Sequence, residues 1–367
     1  MEQLEIQLIA VVTAVACSLP GVFLVLRRVS MLADAISHAI LPGIVIAFFL
    51  TEDLNSPLLI VGAALTGVLT AALIEALGRT RRVRQDAAIG LVFPLLFSIG
   101  VILIARYAGG VHLDVDAVLL GELAFAPFDR VEFQGFDLGP KALWVMGTVL
   151  VLNLALIVVL FKELKLSTFD PALAAALGFS PVLLHYILMG TVSITAVGAF
   201  DAVGSILVVA LIVGPPATAY LLTDRLSVMI ALSAGIGATA AIAGYWLAFA
   251  LDASIAGSMA AAVGLLFLAA FMLAPEQGLL ARSRRASDQR RRFAEHMLLV
   301  HLLHHEGTEE EARECRPAHL HEHLRWNAEV ADLAMRSAVR GGLVERHGEI
   351  LHLTETGRFK AREAMIA

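Results

Sequence analysis

The chain has 367 residues, 58% hydrophobic and 16% charged, with a mean hydropathy of +0.80 and a formal net charge of -6. A soluble domain is usually about 45–50% apolar and about a quarter charged, so a wholly water-soluble protein is excluded. Two cysteines, Cys17 in an apolar run and Cys315 in a charged one, exclude a disulfide framework and a Cys-rich metal site.

Glu2 and Glu5 flank the start, so the first apolar run lacks the basic region of a cleaved signal peptide and is expected to stay. A helix needs about 20 apolar residues to cross a bilayer. Runs of that kind fall near 5–26, 33–51, 56–77, 87–106, 141–161, 183–199, 202–222, 228–250 and 255–274. About nine spans are expected, with eight to ten allowed, because Gly198, Gly204, Gly214, Pro215 and Pro216 interrupt the 183–222 stretch. The Gly-Pro-Pro is expected to force a break, which neighbours in a bundle can satisfy. Between the fourth and fifth spans, the length and amphipathic character of 107–140 suggest a re-entrant or interfacial helix.

Basic residues follow every odd-numbered span: Arg27 and Arg28, then Arg79, Arg81, Arg82 and Arg84, then Lys162 and Lys165, then Arg225, then Arg282, Arg284 and Arg285. The alternate loops carry Glu52, Asp53, Asp114, Asp116 and Asp252. The positive-inside rule then puts the N-terminus outside and the C-terminal tail in the cytoplasm.

From Arg282 onward there are 15 Lys/Arg and 14 Asp/Glu, about half of all charge in under a quarter of the chain. Phe293, Met297, Val300 and Leu303 give Arg290–His305 a helical period. A short helix at 317–324 and another at 326–339 follow, the latter with Val330, Leu333, Ala334 and Ser337 on one face and Gly341-Gly342 as its stop. Leu343–Leu353 reads as two strands about a Gly-containing turn, and Thr354-Glu355-Thr356-Gly357 caps a last helix. Three helices and a hairpin are the order of a winged helix-turn-helix. The fold class expected is an all-α polytopic membrane bundle with a small C-terminal α+β winged-helix cytoplasmic domain. The domains are 1–280 in the membrane, a basic linker at 281–291 and the tail at 292–367.

Asp34-Ala-Ile-Ser-His38 places a carboxylate and an imidazole one turn apart on a helix face inside an apolar span. Both groups bind first-row divalent metals, and ionisable residues are rare in membrane helices without a function. The spacing equally suits a hydrogen-bonded pair that only ties helices together. In Ser167–Phe179, Asp170-Pro171 starts a short Ala-rich helix and Gly178 ends it. Such a helix beside a basic junction suits docking to a soluble partner, and also suits a plain connector. Asp201, between Gly198 and Gly204, is a pathway candidate, although an ordinary water-facing carboxylate fits it as well. Nine of the twelve histidines lie in the tail; His319, His321 and His323 alternate and could, with Glu322, bind and report metal, or form an ordinary His-rich surface. His112 and His185 read as incidental to transport.

At these residues the chain resembles the permease subunits of ABC importers for manganese, zinc and iron. The resemblance runs in order through Arg27–Gly43, Asp86–Gly90, Asp170–Gly178 and Val203–Ala219. It implies that Asp34 and His38 hold the metal in transit. It also implies that Asp170, Pro171, Leu173, Leu177 and Gly178 belong to the helix that couples to an ATPase. The cargo would be a divalent metal ion, with manganese favoured by the Val213–Arg225 run, and no cofactor would be permanently bound. The implied partners are a separate ABC ATPase subunit, an extracytoplasmic metal-binding protein, a second permease and the lipid bilayer of a bacterial inner membrane. No Gly-x-x-x-x-Gly-Lys-[Ser/Thr] run occurs, so the chain is not expected to hydrolyse ATP and is not read as an enzyme.

The tail from Leu343 to Ala361 is similar to the wing and following helix of diphtheria-toxin-repressor-type metalloregulators. Arg325, Arg336 and Arg340 flank or line its candidate recognition helix, but Glu329 and Asp332 offset them, so DNA is not an expected partner. The alternatives are a membrane-tethered metal-responsive transcription regulator, and a permease for a chelated metal or another small nutrient.

Overall fold

The computed structural model describes residues 2–52, 56–80, 82–107, 123–133, 136–317, 320, 326 and 328–366. The chain divides into two compact units, Met1–Pro275 and Glu276–Ala367.

In the first unit the apolar runs become helices: α1 (Glu2–Leu26), α2 (Met31–Ala39), α3 (Leu41–Thr51), α4 (Pro57–Arg79) and α5 (Gln85–Tyr107). A hairpin of β1 (Arg130–Phe133) and β2 (Phe136–Pro140) leads into α6 (Lys141–Val159), α7 (Phe161–Phe169) and α8 (Pro171–Ala176). Then come α9 (Pro181–Val203), α10 (Ser205–Leu222), α11 (Leu226–Leu251) and α12 (Ile255–Leu273). Counting α2 and α3 as one broken span, nine helical spans among the described residues are long and apolar enough to cross a bilayer. Helix α1 lies at the centre, with 72% of its apolar window buried against 22% for α6 and α12. It packs on α6, α9, α10 and α11, while α2 to α5 form a second cluster that α9 bridges to the first.

Small residues let these helices touch, because lipid tails provide no hydrophobic drive between helices. Gly43 on α3 and Gly62 on α4 meet backbone to backbone, with no room for a Cβ. The Gly-Pro-Pro expectation is corrected here. Helix α10 continues through Pro215 and Pro216, and the break falls at Gly204, whose φ of +78 suits glycine. Pro216 has no N–H to give Ile212 O, four residues back. That carbonyl instead lies against Gly21 of α1, where any Cβ would collide with it. A backbone group freed by proline is thus covered by a neighbouring helix, and the helix persists.

Much of the 107–140 segment, where a re-entrant or interfacial helix is expected, lies outside the described residues. Residues 123–128 are turns, and β1 and β2 pair antiparallel with an irregular register after Arg130. Arg130 binds Asp137 across the hairpin and Glu5 of α1, which fixes the hairpin to the start of the first span.

The second unit contains α13 (Leu279–His305), α14 (Glu311–Glu314), α15 (Ala328–Arg340), β3 (Val344–His347), β4 (Ile350–Leu353) and α16 (Glu355–Ile366). Residues 281–291, read as a linker, are the front half of α13. The helix expected at 317–324 lies almost wholly outside the described residues. Its core is built from Leu298, Leu299, Leu302, Leu320, Ala334, Ala338, Val344, Leu351 and Leu353. Two expected faces are rotated. Phe293 and Met297 are exposed while Ala294, Leu298 and Leu302 turn inward, and Val330 and Leu333 are exposed while Ala331, Ala334 and Ala338 are buried. Alanines at that contact let α13 and α15 approach more closely than Val and Leu would. Gly342, at φ +63, ends α15, and Thr354 Oγ1 accepts from Gly357 N at 3.0 Å to start α16. Arg358 donates to both carboxylate oxygens of Glu306 at 2.8 and 3.0 Å, which holds that carboxyl below its ordinary value.

Candidate functional site

Helix α2 is short for a physical reason. Pro42 has no N–H for the His38 carbonyl and disfavours helix before it, so the span breaks at Ile40. Leu32, Ala33, Ala35, Ile36, Ser37 and Ala39 of α2 are buried, which leaves Asp34 and His38 on its less covered side. Their side chains are 40% and 25% exposed, open enough for an ion to reach. The His38 Nε2 to Asp34 Oδ1 separation is 3.6 Å, too long for a hydrogen bond. Two ligands each about 2.1 Å from one ion lie roughly 3.0–3.4 Å apart, so a small rotation brings both onto a metal. Phe93 and Phe97, one turn apart on α5, hold the His38 ring at centroid distances of 5.7 and 6.4 Å. His38 also sits in the last turn of a helix, where the partial negative charge of the carbonyl end favours a cation.

The expected short helix at 170–178 is present as α8. Asp170 caps it, accepting from Leu173 N at 2.9 Å, Pro171 occupies its first position, and Gly178 follows it at φ +89. Phe169, Leu173, Leu177 and Phe179 are exposed around it while Ala174 is buried. An apolar knob on a capped helix can seat in a soluble partner. Asp201 lies near the end of α9. His319, His321 and His323 lie outside the described residues.

One polar cluster escaped the sequence reading, which set His185 aside. Arg27, just past α1, donates to Ser167 Oγ at 2.9 Å and Thr168 Oγ1 at 3.1 Å, and lies 3.5 Å from His185 Nδ1. His185 Nε2 is 4.0 Å from Glu75, which accepts from Arg79 at 2.8 Å. Leu26, Arg27, Glu75, Ser167, Pro171 and His185 line an open cavity of about 410 Å³. Arg27 therefore ties the segment leading to Asp34 to the segment that enters α8. Its partners lie 140 or more positions away, so no local spacing signals them.

Among the described residues, nine spans long and apolar enough to cross a bilayer mark a multi-pass membrane protein. The ABC 3 transport family matches residues 4–274. The chain is 49% identical over 354 residues to "Zinc transport system membrane protein TroD" of Treponema pallidum, covering 96% of each, so that match takes in tail residues as well. It is 49% identical over 284 residues to "Manganese transport system membrane protein MntD" of Bacillus subtilis, covering 77% of this chain and 96% of the relative. The solved structure "PsaBC from Streptococcus pneumoniae in complex with Fab" aligns with a TM-score of 0.62 at 31% identity, over 74% of this chain and 92% of that one. The chain belongs to the ABC 3 transport family, as a permease subunit of a metal ABC importer.

Proposed function

We propose that the cargo is a divalent first-row transition metal, with manganese favoured, and that Asp34 and His38 hold it in transit. The observation that carries this is their 3.6 Å separation on a broken helix inside an apolar span. A carboxylate and an imidazole from one short helix bind such an ion firmly enough to admit it. Two such ligands grip less than a closed cage would, so the ion can also leave. The mixed nitrogen and oxygen set suits manganese, iron or zinc over magnesium or calcium. Asp201 would line the same route.

The basic loops support a multi-pass topology in a bacterial inner membrane with the tail in the cytoplasm. Helix α8 would seat in a separate ATPase subunit through Leu173 and Leu177, an extracytoplasmic binding protein would deliver the ion, and a second permease would complete the pore. Rocking of the two permease halves would switch access to the site. The tail's helices and hairpin, in this order, support a winged-helix reading with a docking or regulatory role. DNA binding is not proposed, because Arg336 on α15 is paired with Asp332 at 2.6 Å.

The test is ATP-driven uptake by the reconstituted complex, comparing manganese, zinc and ferrous iron at equal free concentration. Asp34→Ala and His38→Ala should each abolish uptake while the complex still assembles. Unchanged uptake in both would overturn the ligand assignment, and faster zinc than manganese uptake would overturn the metal preference.

A further inference from the structure

We propose that the C-terminal unit holds a divalent transition-metal site of its own, built from His301, His305 and Glu314. One ligand atom from each lies within 4.8 Å of the other two. His301 and His305 stand one turn apart on α13 with ring centroids 4.8 Å apart, the same i,i+4 geometry that pairs Asp34 with His38. Glu314, at the end of α14, completes the set. Its backbone carbonyl lies 3.2 Å from His301 Nε2, which fixes that ring relative to the carboxylate.

Burial separates this cluster from a solvated surface group. His301 is 8% exposed and Glu314 6%. A carboxylate withdrawn from water favours a cation beside it, and an ion shared with two neutral imidazoles supplies one. Three ligands each about 2.0–2.2 Å from one ion lie roughly 3–4 Å apart, so closure needs the widest pair to draw in by about 1 Å, within reach of side-chain rotation. Two imidazoles and one carboxylate suit manganese, iron, cobalt or zinc, and suit neither Cu(I) nor calcium.

The site sits where the unit is tied together. Leu351 N of β4 donates to Cys315 O at 3.0 Å, and His352 lies 3.3 Å from Glu311. A bound ion would fasten α13 to the segment that carries the hairpin, so metal would stiffen this unit. Its ligand types match the ions proposed for transport, which would let the tail register the cargo; that last step rests on the transport reading, and the site itself does not.

The test uses the full chain in detergent, carrying Asp34→Asn and His38→Gln so that the membrane pair is removed. Co²⁺ is titrated and followed by its visible d–d bands, with retained metal counted by elemental analysis after desalting. A single Co²⁺ per chain is expected. Adding His301→Gln with His305→Gln should abolish it, and adding Glu314→Gln alone should weaken it by about tenfold or more. Adding His319→Gln, His321→Gln and His323→Gln should leave it in place. Hydrogen exchange across β3 and β4 without metal checks folding, and Glu314→Gln decides if the histidine variants unfold. The proposal is overturned if the starting chain binds no Co²⁺, if binding survives loss of His301 and His305, or if only the 319–323 variant removes it. Uptake and titration read separate sites, so failure of the transport assignment is distinguishable from failure of this one.

Discussion

The membrane unit and the tail satisfy their polar groups in opposite ways. Among the spans, hydroxyls close on their own helices: Thr66 Oγ1 donates to Gly62 O at 2.9 Å, Thr191 to Ile187 O at 2.8 Å, and Thr218 to Gly214 O at 2.8 Å. In the tail, charged groups reach between elements, as in Arg358 to Glu306, Lys360 to Glu295 and Arg316 to Glu349. The solvent explains the difference. Inside lipid no water rescues an unpaired group, so short side chains bond locally and small residues carry the packing. In water an ion pair can open and close at little cost, so it can link distant segments.

Gly21→Leu should break the membrane side of this contrast most strongly. Its side chain would collide with Ile212 O and force α1 from α10, a loss of about 3 kcal/mol. Unfolding of the detergent-solubilised chain measures it, and a loss near zero would mean the close approach is not what holds these helices. Arg27 is an exception at the edge of a span, since it bonds across elements as the tail does. Arg27→Ala should lower uptake roughly tenfold at nearly unchanged ATP hydrolysis, the size of an ordinary coupling energy. Equal loss of both activities would argue against a coupling role. Asn153 makes one of the few bonds between spans, donating to Ala16 O and Thr195 Oγ1, each at 2.9 Å. Asn153→Leu should cost about 1 kcal/mol by the same unfolding measurement, and no change would show that its partners rearrange.

The smallest effect is expected from pH. The Arg358 guanidinium lowers the Glu306 carboxyl below its ordinary 4.5, so this contribution to tail stability is fully present above 4.5. It is lost as pH falls through the lowered folded value. Hydrogen exchange in the tail should therefore quicken on acidification, less so in Arg358→Ala, and added salt should quicken it in the tail alone. Equal acid response with and without Arg358 would remove this pair from the account.

Local signals carried much of the architecture. Continuous apolar runs marked nine spans, because a helix in lipid must be apolar along its whole length. Asp170, Gly178, Gly342 and Thr354 mark helix ends through bonds made within a few residues, and the structure keeps all four. Asp34 and His38 come to lie one turn apart because both fall on α2 at a spacing of four. The hairpin at 130–140 had no such local signal, since its anchor to Glu5 lies 125 positions away.

The chain's order of residues settled where helices form and end, since caps, breakers and apolar length act over one or two turns. Tertiary contact settled which face each helix turns inward. Helix α13 carries two apolar stripes, and the core it joins, with Ala334 and Ala338 of α15, Leu351 and Leu353 of β4 and Ala361 of α16, takes Leu298 and Leu302 rather than Phe293 and Met297. The same rotation took His301 inside beside Glu314. How the carbonyl freed by Pro216 is covered likewise depended on a distant residue, Gly21, because such a group is tolerated where a neighbour comes close enough to cover it.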